Sequence, residues 1–293
     1  MQRELTPLQR IATDFGESRL ALAGLALLVL VVLAASFAPL ISPQDPYDLA
    51  QLDVLDSRLP PGSTSVSGLT FWLGSDGQGR DILSGIFYGL RISLMVGAAS
   101  TLCALVIGLA MGLAAAYFGG RTDGVIMRLV DIQLSFPSIL IALVLLAVLG
   151  QGTGKTIFAL VMVQWAYYAR TVRATAIVER AKEYIEAARC LALSPARIVF
   201  RHLLPNCLPP LIVIATVQVA AAVALEATLS YLGIGVPITE PSLGLLIKNG
   251  FDYMLSGKYW ISFFPGIALV LTIVSINLVA DQLRDVLNPR LQK

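Results

Sequence analysis

The sequence predicts an all-α membrane protein with six transmembrane helices, and three observations predict it. Of 293 residues, 56 % are apolar and only 14 % charged, with a mean hydropathy of +0.77. Soluble domains carry about 25 % charged residues, so this chain lacks the charge to cover a water-facing surface. Six segments come near the ~20 mostly apolar residues that cross ~30 Å of hydrocarbon. Basic residues are also shared unevenly between the segments that connect them. Other classes fall away on the same counts. A net charge of +2 is too small for a nucleic-acid partner. One histidine and three cysteines without close spacing (Cys103, Cys190, Cys207) suit neither a zinc site nor a disulfide framework.

Taken in order, residues 1–19 precede a first span at 20–41 that carries no charge. Ser36-Phe37-Ala38 has the small-x-small form of a cleavage site, but the apolar run is longer than the ~7–15 residues of a signal peptide, so an uncleaved span is expected. Residues 42–91 form a large polar loop, and the second span, 92–120, is again uncharged. The third, 124–150, contains Asp131; Arg128, three residues earlier, shares its helical face and is the expected partner. The fourth, 156–177, is the weakest: only Thr156–Ala169 is free of charge, about 21 Å of helix, with Lys155 and Arg170 able to snorkel at its ends. A second large loop, 178–207, leads to the fifth span, 208–236, which holds Glu226 near its middle. A loop at 237–258, a sixth span at 259–280 containing Asn277, and a tail at 281–293 complete the chain. With the N-terminus inside, 15 of the 21 basic residues fall in inner segments and six in outer ones, so both termini are predicted cytoplasmic.

The 178–207 loop reads as a helical hairpin. Residues 180–191 are dense in helix formers. Ser194 suits an N-cap and Pro195 the first turn of a second short helix, expected to run to about Leu203 and to end at Pro205, with Pro209 and Pro210 marking entry to the fifth span. Ile198, Val199 and Leu203 fall on one side, Arg197 and Arg201 on another. The pattern alone fits either an amphipathic surface connector or a docking element for a cytoplasmic partner. Intramembrane charge is costly, so Asp131 is expected in an ion pair near the inner interface. Glu226 faces either the pathway or a network with a partner subunit. Two features mislead. Gly150-Gln151-Gly152-Thr153-Gly154-Lys155-Thr156 lacks the first glycine of a phosphate-binding loop, position 149 being Leu. His202 stands alone, and no catalytic or metal-binding constellation accompanies it.

Glu186-Ala187-Ala188, the turn at Ala192 with Ser194 and Pro195, and Leu204-Pro205 resemble the EAA motif of inner-membrane permeases of binding-protein-dependent ABC importers. That motif usually has Gly in its turn, and Ala at a left-handed position costs roughly 1–2 kcal/mol. Gly74-Ser75-Asp76-Gly77-Gln78-Gly79-Arg80-Asp81 is similar to the extracytoplasmic signature of the second permease in the dipeptide, oligopeptide and nickel subfamily, with Ser75 in place of Thr. Phe118–Asp123, Arg128–Asp131, Phe136-Pro137-Ser138, Glu226–Gly233, Phe264-Pro265-Gly266 and Asn288–Leu291 extend the likeness over about 71–291. The resemblance implies a type I ABC importer permease fold in the bacterial inner membrane, with the hairpin as a coupling helix seated in an ATPase groove. It implies a homologous second permease, two ATPase subunits, an extracytoplasmic solute-binding protein and the lipid membrane as partners. It implies no cofactor and no catalysis by this chain. Gly74, Asp76, Gly79, Arg80 and Asp81 are expected to play a structural role beside the binding-protein surface. The competing reading is a self-sufficient secondary transporter or channel, which needs inverted repeats or several midplane charges.

Overall fold

The computed structural model describes residues 13–48, 52–237 and 239–287, so the expectation at Asn288–Leu291 lies outside the described residues. The chain is a helical bundle. Helix α1 is Arg19–Ser36, N-capped by Ser18, and is followed by one further turn, Ala38–Ile41. A short hairpin pairs β1 (Ser63–Thr64) with β2 (Thr70–Phe71), Ser63 opposite Phe71. Helix α2, Ile82–Phe118, has 37 residues and rises about 55 Å. It begins ten residues before the expected second span because the Asp81 side chain caps it by accepting from Ser84 N at 2.8 Å. Gly119, at φ 65°, ends it.

The third span is not one helix. It is α3 (Gly120–Leu134) and α4 (Ser138–Leu149), bent by 91°. Pro137 has no N–H to continue the ladder and disfavours helical backbone at Phe136 before it. Helix α4 is 12 residues, about 18 Å, too short to cross a bilayer by itself. Helix α5, Thr153–Arg180, is not apolar enough to qualify as a span on composition; α1, α2, the stretch Pro195–Tyr231 and the C-terminal helix are, with the bent pair a fifth. Yet one side of α5 is deeply enclosed: Leu160, Ala166, Tyr168, Ala169, Val172 and Ala176 are all fully buried. Thr156 and Gln164 are buried among the neighbouring helices, whereas Lys155 and Arg170 stay exposed.

Helices α6 (Glu183–Cys190) and α7 (Pro195–Ile198) form the hairpin. A π turn, Val199–Leu203, then carries α7 into α8, Leu204–Tyr231. Pro205 therefore does not end a helix, as expected from sequence; it sits in the first turn of α8, where its missing N–H is harmless. The π turn closes by Leu204 N–H reaching back five residues to Val199 O. Pro209 and Pro210 lie inside α8 instead of marking its start. Helix α9 (Leu243–Phe251) fills part of the expected 237–258 loop, and α10 is Trp260–Leu287.

Side-chain pairings fix the helix directions. Thr101 donates to Gln164 at 3.2 Å and Arg180 to the Ala116 carbonyl at 2.6 Å, so α2 and α5 run parallel. Glycines allow their close approach: a Cβ at Gly108 would lie 2.4 Å from the Tyr168 Cβ, and one at Gly112 2.7 Å from the Ala169 carbonyl. Helix α8 is antiparallel to α2, with Gly97 against Val223 and Ser93 against Glu226. Helix α1 is antiparallel to α10, with Gly24 against Leu278 and Gln282 bonded to the Asp14 carbonyl. The loop after α1 bonds to the start of α2 through Gln44, which accepts from Asp81 N at 2.7 Å. It follows that the start of α1, the end of α10 and the hairpin share one end of the bundle. The 74–81 motif lies at the other.

Candidate functional site

The hairpin is built so that one side is fastened and the other is free. Ile185, Ala188, Ile198 and Leu203 are buried in a cluster with Leu113 and Ala116 of α2, Val172 and Ala176 of α5, and Cys207 and Leu211 of α8. Ile185 and Leu203 are completely enclosed. Glu186, Ala187, Arg189, Arg197 and Arg201 are exposed, and so are Leu191 (74 %) and Phe200 (66 %). Leaving two large apolar side chains in water among arginines has no packing rationale within the chain.

The turn between the helices is a Schellman motif: Leu193 N bonds to Ala188 O at 3.2 Å and Ala192 N to Arg189 O at 2.9 Å. That geometry requires a left-handed residue, and Ala192 supplies it at φ 52°. The turn thus keeps the left-handed geometry with Ala in place of the usual Gly. Ser194 caps α7, accepting from Arg197 N at 3.4 Å, with Pro195 at the first position. Leu204 is half-buried and Pro205 exposed.

The foot of the hairpin is tied by a local ion pair and by Tyr184 and Asn206, which the sequence reading missed. Lys182 Nζ pairs with Glu179 Oε1 at 2.7 Å, Tyr184 Oη donates to Glu179 Oε2 at 2.8 Å, and Asn206 Nδ2 donates to Tyr184 Oη at 3.1 Å. Partial burial, with the Glu179 carboxylate beside it, pushes the Tyr184 phenol up to about 12. Tyr184 and Asn206 lie 22 residues apart, too far for any local pattern to pair them.

The intramembrane polar groups depart from expectation. Asp131 pairs with Arg170 of α5 at 2.5 Å rather than with Arg128, and both partners are more than half exposed. The bend at Phe136-Pro137 sets α3 across α5, so the partner comes from another helix. Arg173 makes a two-pronged contact to Asp123, its Nη2 reaching Oδ2 at 2.6 Å. Glu226 is fully buried and lies five residues from the end of α8, not near a span's middle. It accepts from Ser93 and from Ser230, each at 2.7 Å. Both of these partners belong to its own subunit, and within this chain the carboxylate is enclosed. Asn277 is half-buried on α10.

A groove of ≈ 420 Å³ between α4, α5 and α8 gathers Ser138, Gln164, Tyr167, Gln218 and Thr228 without a formal charge. Ala221 and Ala224 line it too, so backbone is close at hand.

At the opposite end, the 74–81 motif is a hydrogen-bonded knot. Asp76 Oδ1 accepts from Gln78 N at 2.7 Å and Arg80 N at 2.9 Å. Ser75 is fully buried; its hydroxyl accepts from Leu59 N at 2.8 Å and donates to the Asp56 carbonyl. Gly74 (φ 87°) and Gly79 (φ 80°) use conformations that other residues rarely adopt, and a Cβ at Gly79 would meet the Asp53 carbonyl. Asp81, not Asp76, caps α2. Burial raises both Asp76 and Asp81 above the ordinary aspartate value despite their hydrogen bonds.

A multi-helix membrane bundle with an uncharged groove and a two-sided hairpin is the build of a transport permease. Residues 104–293 match the family described as binding-protein-dependent transport system inner membrane component, and residues 6–61 match the N-terminal TM domain of oligopeptide transport permease C. The chain belongs to the first of these families. It is 36 % identical to the di/tripeptide transport system permease protein DppC of Pseudomonas aeruginosa (strain UCBPP-PA14), over 98 % of this chain and 93 % of that one. It is 41 % identical to a putative peptide transport system permease protein of Brucella suis, over 92 % and 87 %, and 36 % identical to the oligopeptide permease OppC of Bacillus subtilis, over 95 % and 88 %. Two crystal forms of the inward-facing MetNI methionine ABC transporter share its fold, with TM-scores of 0.54 and 0.55 at 24 % and 23 % identity, over 68 % of this chain and 94 % of theirs. The protein is therefore a multi-pass inner-membrane permease component of an ABC importer.

Proposed function

We propose that this chain forms half of a peptide-conducting pathway, the other half coming from a homologous permease, and that two ATPase subunits drive it through the 186–205 hairpin. The hairpin end, with both termini, faces the cytoplasm; the 74–81 knot faces the binding protein outside. One observation carries this reading. The hairpin is anchored by a buried apolar side to α2, α5 and α8 at once, while Leu191 and Phe200 stand exposed among basic residues. A load applied to that outer face reaches three long helices through close-packed contacts, which resist deformation and so move as a body. The groove of Ser138, Gln164, Tyr167, Gln218 and Thr228 supports the peptide assignment, because amide and hydroxyl groups read peptide backbone without selecting side-chain charge. The relatives named for di- and tripeptide and oligopeptide transport favour the same substrate class. With Glu226 hydrogen-bonded inside the subunit, it does not supply the pathway charge that a self-sufficient transporter would need.

The test is co-purification with the ATPase subunits from membranes. Wild type is expected to retain them, and Leu191→Asp with Phe200→Asp to lose them while the permease still inserts. Undiminished ATPase retention in that double variant, or labelling of Cys190 from outside sealed cells, would overturn the coupling assignment.

A further inference from the structure

On the far side of α8 from the polar groove, α1, α2, α8 and α10 leave an open slot of ≈ 640 Å³. Thr216 and Val219 of α8 line this slot, whereas Gln218, Ala221 and Leu225 line the groove; at 100° per residue the two sets lie on opposite faces of the helix. The slot is walled by Leu28, Val32 and Ala35 of α1 and by Leu94, Met95 and Ala98 of α2. Its one charged lining residue is Arg91, accompanied by Ser36.

The polarity is graded along the slot. Helices α1 and α2 are antiparallel, so Ser36 and Arg91 share one end while Leu28 and Ala98 mark the other. Residues 91 and 98 are separated by about 10 Å of helix. Arg91 is exposed and makes no hydrogen bond or ion pair with the described residues. Tyr47 and Tyr88 lie near enough to feel its charge, together with those of Asp45 and, at Tyr47, Glu240, and their rings meet edge-on at 5.4 Å. A tyrosine pair beside an arginine is the composition of the membrane–water boundary, so the cationic end of the slot sits at headgroup level and the apolar end points into the hydrocarbon.

We infer that this slot is a phospholipid site, taking one acyl chain of an anionic lipid along α1 and α2 with its phosphate on Arg91 and Ser36. Charge complementarity selects the headgroup, since an unpaired guanidinium forms short charge-assisted bonds to phosphate oxygens. A zwitterionic peptide fits less well: beyond Arg91 and Ser36 most of the slot is hydrocarbon, which would strand its amides. The site is separate from the pathway, and a lipid there would hold α1 against α2 and α10.

Native mass spectrometry of the detergent-solubilised transporter complex, titrated with phosphatidylglycerol, tests this. The wild type is expected to retain one tightly held phosphatidylglycerol. Arg91→Gln should weaken it on the order of tenfold, the loss of one charge-assisted contact. Ala98→Trp, which fills the apolar end without touching charge, should weaken it similarly; Arg91→Lys should largely keep it, and Arg121→Gln, at the hairpin end, should change nothing. Unchanged retention in both Arg91→Gln and Ala98→Trp overturns the proposal. So does displacement of the lipid by a dipeptide, or capture of a second permease chain in place of lipid by a photocrosslinker at position 95.

Discussion

Ser93 and Glu226 meet across the contact between α2 and α8, the serine hydroxyl donating to Oε2 at 2.7 Å while Ser230 donates to the other oxygen. Glu226 thereby joins two long helices at a point where no lipid or water reaches it. Glu226→Ala should strand two buried hydroxyls and open a cavity, destabilising the subunit by about 2–4 kcal/mol. Glu226→Gln, which keeps an acceptor, should cost less than half of that. Thermal unfolding of the purified complex measures both. Transport per folded complex should stay near wild type in the Gln variant, an outcome that a pathway-lining role would not give.

Ala192 offers the opposite case, a residue that costs stability where it stands. At φ 52° an L-residue with a Cβ is strained, and Gly is not. Ala192→Gly should stabilise the hairpin by about 1 kcal/mol, seen as slower amide exchange at Ala188–Leu193. Ala192→Val should have the reverse effect and lower ATPase coupling, since a β-branched residue fits this region worst.

Much of this was legible in sequence. Composition and loop charge identify a membrane bundle, and the Ser194-Pro195 pair announces a helix start because capping is a local interaction. What was not legible depends on contacts distant in sequence. Asp131 finds Arg170, 39 residues away, because Pro137 bends the third span. Spacing alone had favoured Arg128. Pro205, Pro209 and Pro210 read as breakers, yet helix persists because the π turn and the first turn of α8 absorb the missing donor at Pro205. The weakly apolar α5 is poorly marked in sequence for a physical reason: hydropathy reports lipid contact, and one whole side of this helix packs on protein instead.

The Asp131–Arg170 pair is exposed on both sides, so its contribution should be small. A double-mutant cycle of Asp131→Asn and Arg170→Gln should give a coupling of about 0.2–1 kcal/mol in unfolding of the complex. The Asp123–Arg173 pair is less exposed, at 22 % and 32 %, and makes two bonds, so its coupling should be the larger. Charge reversal of both members together should recover most of what either reversal loses. Failure of that recovery would mean that Arg170 serves a partner chain and not Asp131.

The outer knot should become more stable in mild acid. Burial raises the Asp76 and Asp81 carboxyls above the ordinary aspartate value, so at a pH between their raised folded values and the unfolded value of about 3.9 the folded state binds more protons than the unfolded one. Stability is then gained as pH falls through the folded values and levels off below the unfolded value. Amide exchange protection across residues 53–85 should therefore rise as pH is lowered from 7 towards the unfolded value of about 3.9. Asn at either position keeps the turn-forming acceptor and removes the titration. Asp76→Asn together with Asp81→Asn should flatten the profile and raise protection at pH 7. A profile that falls with acid, or one that the two substitutions leave unchanged, would show that these carboxyls are not the groups setting the stability of the knot.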